Sequence, residues 1–147
     1  MIRDVEIRLH APGESSYFVA VLKSDPSTWT DARHREGARA EQLAADVLRR
    51  DGYSIVEQRF RFHRHDIDLV ARKGSAVVFV EVKSRSAGRY GTAAESVTAR
   101  KQKELVRAAG AWLQKFGVPG DVCRFDVVTV EGAQVNWLQS AFRPLWR

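Results

Sequence analysis

Hydrophobic positions along this chain recur with two different periods, and the switches between them mark out the elements. Val5, Ile7 and Leu9 alternate with charged residues, Ala-Pro-Gly-Glu-Ser-Ser supplies turn chemistry, and Tyr17 to Leu22 is an apolar run, a pattern that predicts a small β-hairpin. Lys23 to Asp31 has no periodicity and reads as linker. From Gly37 the spacing turns helical: Ala40, Leu43, Ala44, Val47 and Leu48 share a face until Gly52 stops the run. Glu41 falls on the flank of that stripe, about 20° beyond Leu48 at ~100° per residue, so its carboxylate is predicted at the border of the core.

Three strand patterns follow closely, Tyr53 to Phe62, Asp66 to Arg72 and Ala76 to Lys83, the last two joined at Gly74-Ser75. Short turns between them predict an antiparallel meander. Thr98 can cap a second helix with the stripe Leu105, Ala109, Trp112 and Phe116, which ends at Gly117 and Pro119. Phe125 to Val130 and Val135 to Leu138 then flank a turn at Glu131-Gly132. The order helix, three-strand meander, helix, two strands predicts an α/β fold, a mixed sheet flanked by helices.

Composition narrows the class. The 147 residues are 44% hydrophobic and 29% charged, which excludes a disordered chain. A single cysteine, Cys123, excludes an internal disulfide framework and points to a reducing compartment. The longest apolar run, Tyr17 to Leu22, is far short of the roughly 20 residues of a membrane helix. Met1-Ile-Arg-Asp-Val-Glu lacks the order of a secretory signal, so the expected setting is cytoplasmic with no membrane partner.

Charge changes the picture more. The net charge is +6, 18 of the 24 cations are Arg, and residues 33–107 alone carry +7. Planar guanidinium forks suit phosphate, so a nucleic acid is the expected partner.

Within that basic half lies an acidic constellation. Alternation in Val77-Val-Phe-Val-Glu-Val-Lys83 puts Glu81 and Lys83 on one strand face and Val78, Val80 and Val82 on the other. In His65-Asp-Ile-Asp-Leu-Val70 the same alternation puts Asp66 and Asp68 on one face, Ile67 and Leu69 on the other. A two-residue turn at Gly74-Ser75 pairs 73 with 76, which sets 68 opposite 81 and 66 opposite 83. Two carboxylates that close repel unless a cation joins them or one is protonated, and an all-oxygen set suits Mg²⁺ or Mn²⁺. Such a cation with Lys83 beside it predicts phosphodiester hydrolysis. Glu-x-Lys by itself is a weak signal, since this composition gives roughly 0.4 such spacings by chance, and a solvent-facing Glu/Lys pair is its ordinary explanation. The joint pattern with the acidic strand and Glu41 carries more.

That joint pattern resembles a family. Gly37-Ala-Arg-Ala-Glu-Gln-Leu-Ala44, Gly52-Tyr53, Asp66-Ile-Asp-Leu-Val70, Val78-Phe-Val-Glu-Val-Lys-Ser-Arg85, Tyr90-Gly91, Val97-Thr-Ala-Arg-Lys101, Arg124-Phe-Asp-Val-Val128 and Ala141-Phe142 resemble the YraN family of small, mostly uncharacterised bacterial proteins. The family is similar to the PD-(D/E)xK nuclease superfamily, with a restriction-endonuclease-like fold related to Holliday-junction resolvases. The resemblance implies a metal-dependent DNA endonuclease in which Asp68 and Glu81 hold metal, Lys83 is the catalytic lysine and Glu41 is the helix acid of the site. His65-Asp66 stands where the family commonly has Gly-Glu, and Ala40 where it has Gly before the helix acid. The matched stretch divides the chain into an extension, residues 1–32, and a nuclease-like domain, residues 33–147.

Around this core the basic residues take second place. Arg59, Arg61, His63 and His65 alternate with Phe60, Phe62 and Arg64, which predicts one strand face rich in phosphate-binding donors. Arg85 and Arg89 follow Lys83 closely and are expected near the scissile phosphate. Lys101 lies in the apolar sector of the second helix's first turn, against the helix dipole; a phosphate or the site carboxylates are its expected partner, with a snorkelling surface lysine as the equal alternative. A zinc site at His63-x-His65 is disfavoured because His10 and His34 lie in no matching motif. Cys123, Trp112, Trp137 and Trp146 read as packing residues. Two rivals stay open, a nucleic-acid-binding module without turnover and a protein-interaction adaptor whose acids form an ion-pair network, as does a homodimer.

Overall fold

The helical stripe and the alternating runs both become buried faces in the computed structural model, which describes residues 5–9, 17–22, 33–85, 97–132 and 134–144, with backbone alone for 5–9, 17–22 and 33–35. In chain order the elements are β1 (Val5–Leu9), β2 (Tyr17–Leu22), α1 (Arg33–Arg50), β3 (Ser54–Phe62), β4 (His65–Lys73), β5 (Ala76–Arg85), α2 (Ala99–Phe116), β6 (Val122–Glu131) and β7 (Gln134–Phe142). The strands form one sheet in the order β1-β2-β7-β6-β5-β4-β3. The expected helix, meander, helix and strand pair make its five-stranded mixed body, and β2 continues it by pairing antiparallel with β7. β5 and β6 run parallel because α2 carries the chain back across the sheet between them.

Each helix covers one face. Ala40, Leu43, Ala44, Val47 and Leu48 of α1 pack on Leu69, Val78, Val80, Val128 and Trp137. Leu105, Ala108, Ala109 and Trp112 of α2 pack on Ile67, Val70, Phe79, Phe125 and Val127. The parity of β5 follows from this, with even-numbered valines under α1 and Val77 and Phe79 under α2. Gly52, at φ +92°, turns the chain out of α1 in a conformation an L side chain resists. Thr98 Oγ1 accepts from Lys101 N–H at 3.2 Å and caps α2. Phe116 departs from its expected place in the stripe: it lies past the covered part of the sheet, 43% exposed and resting on Trp112. No helix among the described residues is long and apolar enough to cross a membrane.

A buried carboxylate fixes the join of β6 and β7. Asp126, fully enclosed, accepts from Arg124 Nε at 2.8 Å, Arg124 Nη2 at 2.9 Å, Trp137 Nε1 at 2.8 Å and Ser140 N–H at 2.9 Å. Ser140 is left-handed at φ +52°, and the register between β6 and β7 slips between Phe125 and Val127; the carboxylate thus holds a bulge in place. Asp126→Ala strands a guanidinium and an indole N–H, so we expect a fall of about 3 kcal/mol in unfolding free energy. Urea midpoints at constant m would show it, with Asp126→Asn losing less.

A second pair ties β4 to the loop before β6: Arg72 grips Asp121 at 2.7 and 3.0 Å. That guanidinium, helped by the Val118 N–H, lowers the Asp121 carboxyl from 3.8 to about 2. A depressed acid stabilises the fold fully above its unfolded value and loses that contribution as pH falls through its folded one. Between pH 4 and 2 the wild-type melting temperature is therefore expected to drop more steeply than that of Asp121→Asn.

Candidate active site

The site begins where two strands part. β4 and β5 pair as the turn at Gly74-Ser75 predicts, Lys73 opposite Ala76, and the ladder runs as far as Leu69 opposite Val80. Beyond that point β5 stays with β6 up to Arg85 opposite Glu131, while β4 stays with β3 up to His65 opposite Phe62. Parting leaves polar backbone without a ladder partner, which a buried position cannot tolerate. Asp68 resolves this by accepting the Val82 N–H at 2.8 Å through Oδ2. Asp68 of β4 and Glu81 of β5 are thereby brought together at the cleft.

Position 59 shapes the same cleft from β3. Gln58 pairs with Leu69 and Phe60 with Ile67, but Arg59 and Asp68 form no ladder pair, and Arg59 sits at φ +51°. For a residue with a Cβ that conformation costs about 1–2 kcal/mol. The twist there overturns one expectation: Ile67 and Leu69 do not share a face, since Leu69 packs under α1 and Ile67 under α2.

Charge is concentrated at the cleft. Glu81 has its side chain 6% exposed, with Oε1 3.3 Å from Lys83 Nζ and Oε2 buried without a hydrogen-bond partner. Burial, and then the neighbouring Glu81 charge, push the Asp68 carboxyl from 3.8 up to about 7, against the Val82 hydrogen bond; Glu41 raises it further and Lys101 opposes. Glu41 does stand at the border of the core, but its Oε2 accepts from Arg59 Nε at 2.9 Å. The first turn of α1 is tied to the far end of β5 by Ser84 Oγ donating to Glu36 at 3.1 Å.

The donor set suits a hard divalent cation. Asp68 Oδ1 and the unpartnered Glu81 Oε2 could serve as oxygen ligands from desolvated positions, and a charge between them would remove the conflict that raises Asp68. Among the described residues no three His, Cys, Asp or Glu side chains are gathered closely enough to cage an ion. Two carboxylates completed by water are a normal set for Mg²⁺, and Glu41 would join only after leaving Arg59.

The sequence-predicted residues thus separate into groups. Glu41, Asp68, Glu81, Lys83 and Lys101 interact around the cleft. Asp66 does not join them: instead of facing position 83, it pairs across β3 with Arg61 Nε at 3.0 Å. The expected donor-rich strand face does not form, because the chain reverses at His63-Arg64, with His63 at φ +57°. His65 therefore belongs to β4 and lies 3.6 Å from Glu104 of α2. Arg59 and Arg61 face carboxylates, Arg85 is half-buried at the end of β5, and Arg89 and Trp146 lie outside the described residues. Arg100, Lys103 and Arg107 were missed. They are exposed on α2, and their spacing of three and four was the signal that they form one basic stripe.

In the metal-free protein an ionised Asp68 opposes folding. A raised carboxyl makes the fold gain stability as pH falls from above 7 toward 3.8. With chelator present, Asp68→Asn, which can keep an oxygen on the Val82 N–H, is expected to gain about 1 kcal/mol at pH 8 and to lose this pH dependence; urea unfolding at pH 8 and pH 5 checks both.

Comparison with known proteins follows the same stretch of chain. The family model described as "Uncharacterised protein family UPF0102" matches residues 40–130. A UPF0102 protein of Symbiobacterium thermophilum is 48% identical over 97 residues, covering 66% of this chain and 82% of its own. One from Dechloromonas aromatica is 44% identical over 113 residues, covering 77% and 90%, and one from Herminiimonas arsenicoxydans is 41% identical over 110 residues, covering 75% and 88%.

Proposed function

From a chain that belongs to the UPF0102 family, the one expected under the name YraN, we propose a divalent-metal-dependent DNA endonuclease with a restriction-endonuclease-like fold. The observation that carries the reading is the pair Asp68 and Glu81, desolvated side by side where β4 and β5 part, with Lys83 Nζ 3.3 Å from Glu81. A fold gains nothing in stability from such a pair when no cation is bound.

Asp68 and Glu81 would hold Mg²⁺ or Mn²⁺, which supplies Lewis acidity toward a phosphoryl oxygen and a more acidic water. The Val82 N–H fixes the Asp68 carboxylate through Oδ2, which would leave Oδ1 as its metal-binding oxygen. Lys83 offers its ammonium to the attacking water or to the charge building on phosphorus. Lys101, already within the field of Asp68, and the exposed Arg100, Lys103 and Arg107 offer cations to neighbouring phosphates. The expected resemblance to Holliday-junction resolvases would favour branched DNA, and a single cysteine fits a cytoplasmic setting.

The test is a cleavage panel of duplex, single strand, flap and four-way junction with Mg²⁺ or Mn²⁺. We expect at least one to be cut, with a loss of about 100-fold or more in Lys83→Ala and Glu81→Ala while salt-dependent binding persists. Binding without cutting any of them would overturn the enzyme and leave a nucleic-acid-binding module.

A further inference from the structure

Arg59 is anomalous on three independent counts. It is left-handed in the middle of a strand at φ +51°, it interrupts the ladder opposite Asp68, and its Nε lies 2.9 Å from Glu41 Oε2 although its side chain is 63% exposed. Left-handed backbone at a residue other than Gly, Asn or Asp persists where surrounding structure imposes it, and such strain gathers at functional sites. Here the strain accompanies a guanidinium set against Glu41, the acid that could add a third carboxylate to the pair Asp68 and Glu81.

We propose that Arg59 is a displaceable counter-ion: without metal it occupies Glu41 in place of a cation, and it releases Glu41 when a cation enters and a phosphate offers the guanidinium another anion. This rests on the metal-site reading above. It makes Arg59 a positioning residue, acting through Glu41.

The physical consequence is a coupling between two ligands. A metal site completed only when Arg59 lets go binds its ion more weakly by the fraction of molecules in which Glu41 is free. A polyanion that draws Arg59 away raises that fraction. Metal and nucleic acid therefore strengthen each other's binding by the same factor, and the cleft fills its coordination set when a substrate is present to be cut. Arg61 has no such role, since its partner is Asp66 and not one of the acids acting on Asp68.

The test reads metal affinity without any nucleic acid, so it is separate from whether the protein cuts. Mn²⁺ is titrated into wild type and variants and the free ion followed by electron paramagnetic resonance. Arg59→Gly suits the variant, because glycine accepts the left-handed backbone and the local strand geometry survives; Arg59→Asn is a second choice on the same ground, and thermal unfolding confirms that each is folded. Arg64→Gln, in the exposed β3–β4 turn, removes one positive charge elsewhere and serves as the control. Arg59→Gly and Arg59→Asn are expected to bind Mn²⁺ roughly tenfold more tightly, the scale of one close charge contact partly screened by solvent. Arg64→Gln should stay within about twofold of wild type, and Glu41→Gln should abolish the gain from Arg59→Gly. Unchanged or weaker binding in the Arg59 variants, an equal gain in Arg64→Gln, or no Mn²⁺ binding in any of them overturns the proposal. Absence of DNA cleavage together with the tenfold gain would reject the nuclease and keep the counter-ion.

Discussion

The hydrogen bond from Val82 N–H to Asp68 carries more of this molecule than its length suggests. It stands at the point where a β-ladder stops, and it replaces a backbone acceptor with a side-chain one. Had β4 kept pairing with β5, the two strands would have run on as a continuous surface. Because they part, the sheet opens between them, and the Asp68 carboxylate of one strand bonds across to the Val82 N–H of the other. Glu81 then lies beside that carboxylate for a purely geometric reason: it is the residue before the amide that Asp68 captures.

Everything gathered there is costly to the fold. Buried like charges raise Asp68, one oxygen of Glu81 has no donor, and Arg59 adopts a backbone that its side chain disfavours. The cost is carried by the rest of the sheet, where Val77 to Val80, Val127 and Val128 are fully enclosed between α1 and α2. Asp126 makes the contrast plain. It is as buried as any acid among the described residues, yet every partner it needs is present, so it acts as a structural pin. Burial of an acid alone does not mark a site; burial without enough donors does.

Much of this was legible in the residues. The 3.6 period of α1 put Glu41 at the core border, and Gly74-Ser75 set the register that brings 68 toward 81. What could not be read is whatever depends on a residue acting outside its type. An arginine gives no sign of left-handed backbone, so the twist at position 59 was hidden, and with it the separation of Ile67 from Leu69. The strand patterns predict a turn between Phe62 and Asp66, but no Gly, Asn or Pro fixes the reversal at His63-Arg64, so alternation alone puts His63 and His65 on the same donor-rich face as Arg59 and Arg61. The side chain that ends the ladder was visible as an acid but not as a backbone partner. Alternation therefore places Asp66 on the same face as Asp68, although it turns to Arg61.

The left-handed backbone at Arg59 also bears on how this protein avoids its own kind. β3 is the outer strand on one side of the sheet, and a straight outer strand is a template on which another chain can add, strand upon strand, toward aggregation. A left-handed residue in its middle and charged side chains at Glu57, Arg59 and Arg61 break that template into short pieces. One irregularity thus shapes the cleft on the inner side of β3 and guards solubility on its outer side, so a substitution that smooths the strand would trade away both.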